Sequence, residues 1–296
     1  MNNKLLILNL GVDSENTSLA FTQKWINDIS LNYDAVDVLT MKVGSTYQLN
    51  ENVNLFFIND QNTNYTKIYQ LRKLNKLTRK LIKNNNYTHC FAHMAPMQHL
   101  VAKFYLIQKN IKTTLWFTHS GPKFGIKWLI LWFSSMLANN IVTASKHSFP
   151  FRFKKVKSIG HGINFDNFFI ERKTFQLKNI SILSRVSKSK NIENTIDNII
   201  KCKNFENINI DVIGGTLNID DESYLNELLI KYKNFKNINF LGKQPHAKLP
   251  ELLKKYDVNI NNAQKGFFDK AVLETCAAGI INSVSYTHLR AHETCT

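Results

Sequence analysis

Short apolar or β-branched runs recur along the chain, each followed by a longer stretch whose apolar positions fall three and four residues apart. The first period predicts buried strands and the second predicts helices packed on them, which together are the pattern of βαβ units feeding a parallel sheet. Strands are predicted at 4–10, 35–41, 88–93, 113–118, 140–144 and 156–159, then at 179–184, 207–213, 237–241 and 257–261. Ile192, Ile196, Ile199 and Ile200 mark one intervening helix, and Leu225, Leu228, Leu229 and Tyr232 mark another. The polar, charge-rich stretch 166–178 has no period of its own and reads as a linker. The expectation is therefore α/β, with two doubly wound Rossmann-like domains facing each other across a cleft, at 1–165 and 179–282. Ligands of such sheets bind at the carboxyl ends of the strands.

Composition narrows the classes. A chain of 296 residues, 44% hydrophobic, can bury two cores, which excludes a disordered or fibrous protein. The formal charge of +16 fits an anionic partner, and it also fits the Lys- and Asn-rich codon usage of an AT-rich genome. No block of basic residues forms a tail, and the lysines read as spread over both halves. Cys90, Cys202, Cys276 and Cys295 lack CxxC spacing, as in a reduced, cytoplasmic protein. The apolar run after Met1 is too short for a signal peptide. Trp128–Ala138 falls short of the ~20 residues that span a bilayer. It reads as a buried helix or, with Lys123 and Lys127 beside it, as a helix lying on the inner membrane face.

The last residues differ in character. Val284–Thr294 reads VSYTHLRAHET, the translation in one frame of a transposase-type sequencing-library adapter. Residues 283–296, with His288, His292 and Cys295, are accordingly expected to be an adapter-derived tail, and the second domain to be incomplete.

Two stretches carry candidate chemistry. A strand ending at Ser184 is followed by Arg185 and, five residues on, by Lys190 at a helix start. This arrangement sets two cations and open backbone amides around one anion such as a diphosphate, although a solvated basic loop has the same sequence. Gly266–Gly279 reads GFFDKAVLETCAAG: Asp269 begins a helix, Lys270 and Glu274 lie one turn apart, and Gly279 ends it. Glu274 is placed to accept hydrogen bonds from sugar hydroxyls, or to form a plain surface pair with Lys270.

In order and spacing these stretches resemble the C-terminal half of the retaining glycosyltransferases of family four, or group 1. The matching positions are Arg185 and Lys190, Val212-Ile213-Gly214-Gly215, Phe240-Leu241-Gly242, Pro250-Glu251-Leu252-Leu253 with Asp257-Val258, and Gly266 with Glu274. Gly266 stands where the family's first motif glutamate is usual. The resemblance implies a GT-B fold and transfer of a sugar, with retention, from a UDP- or GDP-sugar to a glycan or lipid-linked acceptor. It implies Arg185, Lys190 and His119 as catalytic residues. It places Gly11, Gly266, Phe267, Phe268, Asp269, Lys270 and Glu274 around the donor, with Gly11 opening a loop that runs to Leu19. His93 is a second histidine expected to face the cleft, and His161 is expected to be structural. No metal or other cofactor is expected, since no DxD or His/Asp cluster is present, and no nucleic-acid partner. The alternatives are a sugar-nucleotide epimerase of the same architecture and a non-enzymatic basic protein that binds nucleic acid or a membrane surface.

Overall fold

The structure, a computed structural model, describes residues 3–15, 21–46, 49–60, 62–63, 65–119, 121, 124–145, 147–172, 176–263 and 269–285. The chain divides into two compact units, Met1–Gly160 and His161–Thr296.

The first unit runs β1 (Lys4–Val12), α1 (Phe21–Ser30), β2 (Ala35–Val43), β3 (Val53–Asn59), α2 (Lys67–Asn84), β4 (His89–His93), α3 (Pro96–Gln108), β5 (Lys112–Trp116), α4 (Ile126–Leu137), β6 (Asn140–Thr143) and β7 (Val156–Ser158). Its seven strands pair in the order β3-β2-β1-β4-β5-β6-β7, all parallel. The run LLIL in β1 is apolar on both faces because both faces are covered. Leu6 and Leu8 join a core with Leu74 of α2, Ala102 and Leu106 of α3, and Leu131 of α4. Leu5 and Ile7 point the other way, onto Ile26 of α1. Each such side chain contributes about 1.5–3 kcal/mol on burial.

The second unit runs α5 (Phe165–Phe168), β8 (Asn179–Leu183), α6 (Ile192–Ile200), β9 (Asn209–Ile213), α7 (Ile219–Tyr232), β10 (Ile238–Gly242), α8 (Leu249–Leu253), β11 (Val258–Asn261), α9 (Lys270–Ala277) and β12 (Ile281–Val284). The order is β10-β9-β8-β11-β12, again all parallel. In both sheets the order reverses beside the first strand, at β1/β4 and at β8/β11. These are the topological switch points, where a crevice opens at the strand ends.

Four features differ from the sequence reading. The edge strand β3, VNLFFIN, was not predicted; its exposed Phe57 and its asparagines blur the alternation that marks a half-buried strand. β1 continues to Val12, because Gly11 and Val12 still pair with Lys42 and Val43, so Gly11 is a strand residue and not the start of a loop. Residues 166–178 do not form a free linker where they are described. Phe168 is buried in a core with Leu183, Ile213 and Leu253, and Arg172 donates to the carbonyls of Ala278 (2.8 Å) and Leu253 (2.9 Å). These anchors lie far along the chain, which a local pattern does not register. The fourth is β12, in which Ser283 and Val284 pair with Ile260 and Asn261, so the boundary expected at 282 falls inside a strand.

Candidate functional site

Gly214 lets the carboxyl end of β9 close against that of β8, one of the two strands of the switch point. It has φ +148°, and a Cβ there would fall 1.9 Å from the carbonyl oxygen of Ser184. The strand ends can then close: Ser184 donates to the Ile213 carbonyl (3.0 Å), Val186 to that of Gly215 (2.9 Å), and Gly214 to that of Gly242 (3.0 Å). The chain leaving β8 is thereby held against the end of β9, and Arg185 and Lys190 ride on it.

Lys190 ends a 3₁₀ turn, Lys188–Lys190, and its Nζ forms an ion pair with Asp269 at the start of α9. The pair is largely buried, at 10% and 18% side-chain exposure. The same Asp269 oxygen accepts from Asn261 Nδ2 at the end of β11 (2.9 Å). Asn191, in the left-handed region at φ 48°, donates to the carbonyl of Asn262 (2.9 Å), and Asn262 donates to Thr195 (3.2 Å). The loop after β8 and the loop after β11 are thus stitched together across the crevice.

Arg185 leaves the same strand but is held elsewhere. Its Nε lies 3.8 Å from Asp221 Oδ2 in the first turn of α7, with the Arg185 side chain 40% exposed. Asp221 also accepts from the amide of Leu217 (3.2 Å). A groove of about 460 Å³ opens here, lined by Arg185, Ser187, Ser189, Asp221 and Tyr224. The two expected cations therefore have separate acidic partners on separate helices.

Glu274 is buried in α9, and its Oε1 accepts from Nε2 of the exposed His246 (2.9 Å). The His246 ring lies edge-on to Phe168 at 5.4 Å. The sequence offered Lys270 as the partner of Glu274, but Lys270 is exposed on α9 and the carboxylate turns inward to His246. Gly266, Phe267 and Phe268 lie outside the described residues.

In the first unit, His93 ends β4 at the switch point. Its Nδ1 is 3.4 Å from Oδ1 of Asn9 in β1, and its ring packs 4.8 Å from Trp25 and stacks on Trp116 at 6.5 Å. His119 lies after β5, exposed, with its ring edge-on to Phe117 at 6.3 Å. Of the two histidines, His93 is the one at the reversal of strand order. Gly11 accepts from Asn9 Nδ2 (2.8 Å) in the same strand.

Sequence reasoning missed Asn9, Asn191, Asp221, His246 and Asn261. The asparagines are hidden in an Asn-rich chain, although the place of Asn9 and Asn261 at the ends of predicted strands was a usable signal. Asp221 and His246 are brought in by elements distant in sequence, and no local spacing marks them.

Residues 166–286 match the family described as Glycosyl transferases group 1. None of the curated proteins matches the chain in sequence. Among solved structures, it resembles HepE of Anabaena in complex with UDP, with a TM-score of 0.68 and 15% identity over 94% of this chain and 79% of that one. It also resembles the sucrose-phosphate synthase of Thermosynechococcus elongatus (0.70, 12%, 95% and 81%) and a glycosyltransferase of Rickettsia africae (0.70, 14%, 96% and 79%). The match to the group 1 glycosyltransferase family thus rests on residues 166–286, and the two doubly wound units have the GT-B fold of these solved structures.

Proposed function

We propose that this protein transfers a sugar from a UDP- or GDP-sugar to a glycan or lipid-linked acceptor, with retention at the anomeric carbon. The observation that carries the reading is the Lys190–Asp269 ion pair at the β8/β11 switch point, with Asp269 itself held by Asn261 at the start of α9. Its support from the comparisons is the nucleotide that HepE, one of the similar structures, holds.

In this reading Lys190 and the amides at the start of α9 meet the donor diphosphate, and Arg185 reaches it from its exposed position above Asp221. Departure of a nucleoside diphosphate concentrates negative charge on the leaving oxygen, and preorganised cations and helix amides lower the barrier by stabilising that charge. Glu274, oriented by His246, accepts hydrogen bonds from the donor ribose. Gly11, Gly266, Phe267, Phe268, Asp269 and Lys270 border the donor. His119 orients the sugar, and His93, at the switch point of the first unit, serves as a second candidate for that task. Neither a metal nor another cofactor takes part.

Isothermal titration of the protein with UDP, GDP and the corresponding nucleosides is the test. A diphosphate should bind tighter than its nucleoside. Hydrogen bonds to charged groups contribute roughly 1.5–3 kcal/mol each, so Arg185→Ala should weaken diphosphate binding about tenfold to a hundredfold and leave the nucleoside unchanged. Equal affinity for diphosphate and nucleoside would remove the basis of the proposal.

A further inference from the structure

The basic residues of this protein are spread over both halves, as expected, but its net positive charge comes from one stretch that lacks acidic residues. Residues 61–165 contain 17 of the 38 Lys and Arg and no Asp or Glu, whereas the rest of the chain has 21 basic and 22 acidic residues. This acid-free stretch builds α2, α3 and α4, which lie side by side over one face of the first sheet. Tyr105 of α3 donates to Asn75 of α2 (2.9 Å), and His99 of α3 meets Ser134 of α4 (2.8 Å). The inner side of the layer is core, as described for Leu74, Leu106 and Leu131.

The outer side has two properties at once. Arg72, Lys76, Arg79 and Lys80 stand exposed along α2, with no acidic residue in their own stretch of chain. Large apolar side chains lie open on the same helical layer: Ile68 (68% exposed) in α2, Phe104 and Ile107 in the adjacent α3, and, next to α3, Phe124 (89%) just before α4 and Ile126 (70%) at its start. Leu129, Phe133 and Met136 extend the apolar row along α4. An apolar surface of this kind beside a dense single-sign charge matches the interface of an anionic bilayer, where apolar groups sink below the headgroups and cations stay among them. A nucleic-acid duplex would satisfy the cations but leave Ile107, Ile126 and Leu129 wet. No helix among the described residues is long and apolar enough to cross a membrane, so the contact is with the surface.

We infer that the outward face of α2, α3 and α4 docks this protein on an anionic lipid bilayer. The inference deepens the proposed lipid-linked acceptor by naming the surface that meets the membrane, but it stands on the first unit alone and is tested without donor or turnover.

The experiment is sedimentation of the full chain with vesicles of phosphatidylcholine, with and without phosphatidylglycerol, across a salt series. Pelleting with the anionic vesicles only, weakening as salt screens the charges, is the expected result. Each basic residue near such a surface is worth about fivefold in partitioning, so the triple variant Arg72→Glu/Lys76→Glu/Arg79→Glu should bind at least about tenfold more weakly. Phe124→Ser/Ile126→Ser should lower the binding that persists at high salt. These side chains are exposed, so Tm and nucleotide affinity should stay at the unsubstituted values, which separates lost docking from lost folding. Equal or negligible pelleting with both vesicle types would overturn the inference. So would a chain whose exposed face is buried in a dimer by analytical ultracentrifugation, or one that binds duplex DNA while ignoring the vesicles.

Discussion

Lys190 and Asp269, 79 residues apart in the chain, form an ion pair across the carboxyl ends of β8 and β11, at the point where the strand order of the second sheet reverses. One residue arrives on a short 3₁₀ turn and the other begins a helix, so the pair joins two segments beside the hydrogen bond from Asn191 to Asn262.

Removing either partner leaves a mostly buried charge without its counterpart, and that residual charge, more than the lost contact, sets the cost. Asp269→Ala should destabilise the protein by roughly 1.5–3 kcal/mol, and Lys190→Ala by a similar amount. The double variant should cost less than the sum of the two. Urea unfolding of the three variants measures the coupling. Strict additivity would show that the two side chains do not interact in solution.

Glu274 and His246 form the second testable pair. If Glu274 holds the donor ribose, Glu274→Gln should weaken nucleoside and nucleoside diphosphate alike, by roughly tenfold. His246→Ala should reproduce part of that loss while leaving the diphosphate-over-nucleoside ratio intact, because His246 acts through the carboxylate it orients. Calorimetric titration of both variants with UDP and uridine, and with GDP and guanosine, distinguishes this from a role on the phosphates, which would change the ratio.

Gly214 carries a purely steric prediction. A methyl group there would fall 1.9 Å from the Ser184 carbonyl oxygen, in a backbone conformation that side chains rarely adopt. Gly214→Ala should therefore cost at least about 3 kcal/mol and abolish nucleotide binding with it, since the loop carrying Arg185 and Lys190 is anchored at that contact. A variant of unchanged Tm would mean that the strand ends are further apart than described.

Acid sensitivity should come in part from His99. Its ring is fully buried between α3 and α4, and burial first, then the charges of Lys103 and Lys155, push its pKa down from 6.5 to about 3. A folded-state pKa below the unfolded one means that the unfolded chain binds the extra proton between those values. Stability from the neutral ring is then complete above about pH 6.5 and is lost as pH falls toward 3. One proton corresponds to about 1.4 kcal/mol per pH unit. His99→Gln should flatten the pH dependence of the unfolding free energy between pH 6 and 4 by up to about that slope, read by chemical denaturation at each pH. Parallel curves for the two proteins would place the acid sensitivity elsewhere.

The alternation of β-branched runs with helix-periodic stretches determined most of this fold. In a parallel sheet covered on both faces every residue of a central strand is apolar, as in the LLIL of β1, and a local window detects that run. Edge strands such as β3 and β12 bury only part of their length and leave a weaker trace. Arg185, Lys190, Asp269 and Glu274 were also legible, because strand ends and helix starts are local events and a group 1 order of motifs runs through them. Their partners were not. The pairing of Lys190 with Asp269, Arg185 with Asp221 and Glu274 with His246 depends on which strand ends lie side by side, and that is set by crossover connections tens of residues long. The same holds for Phe168 and Arg172, which look like linker until the core and helix ends that they fill are in place. The sequence thus chose the elements and supplied the charges, while sheet order decided which charges meet, because hydrophobic periodicity acts over a few residues and side-chain pairing acts wherever the chain returns.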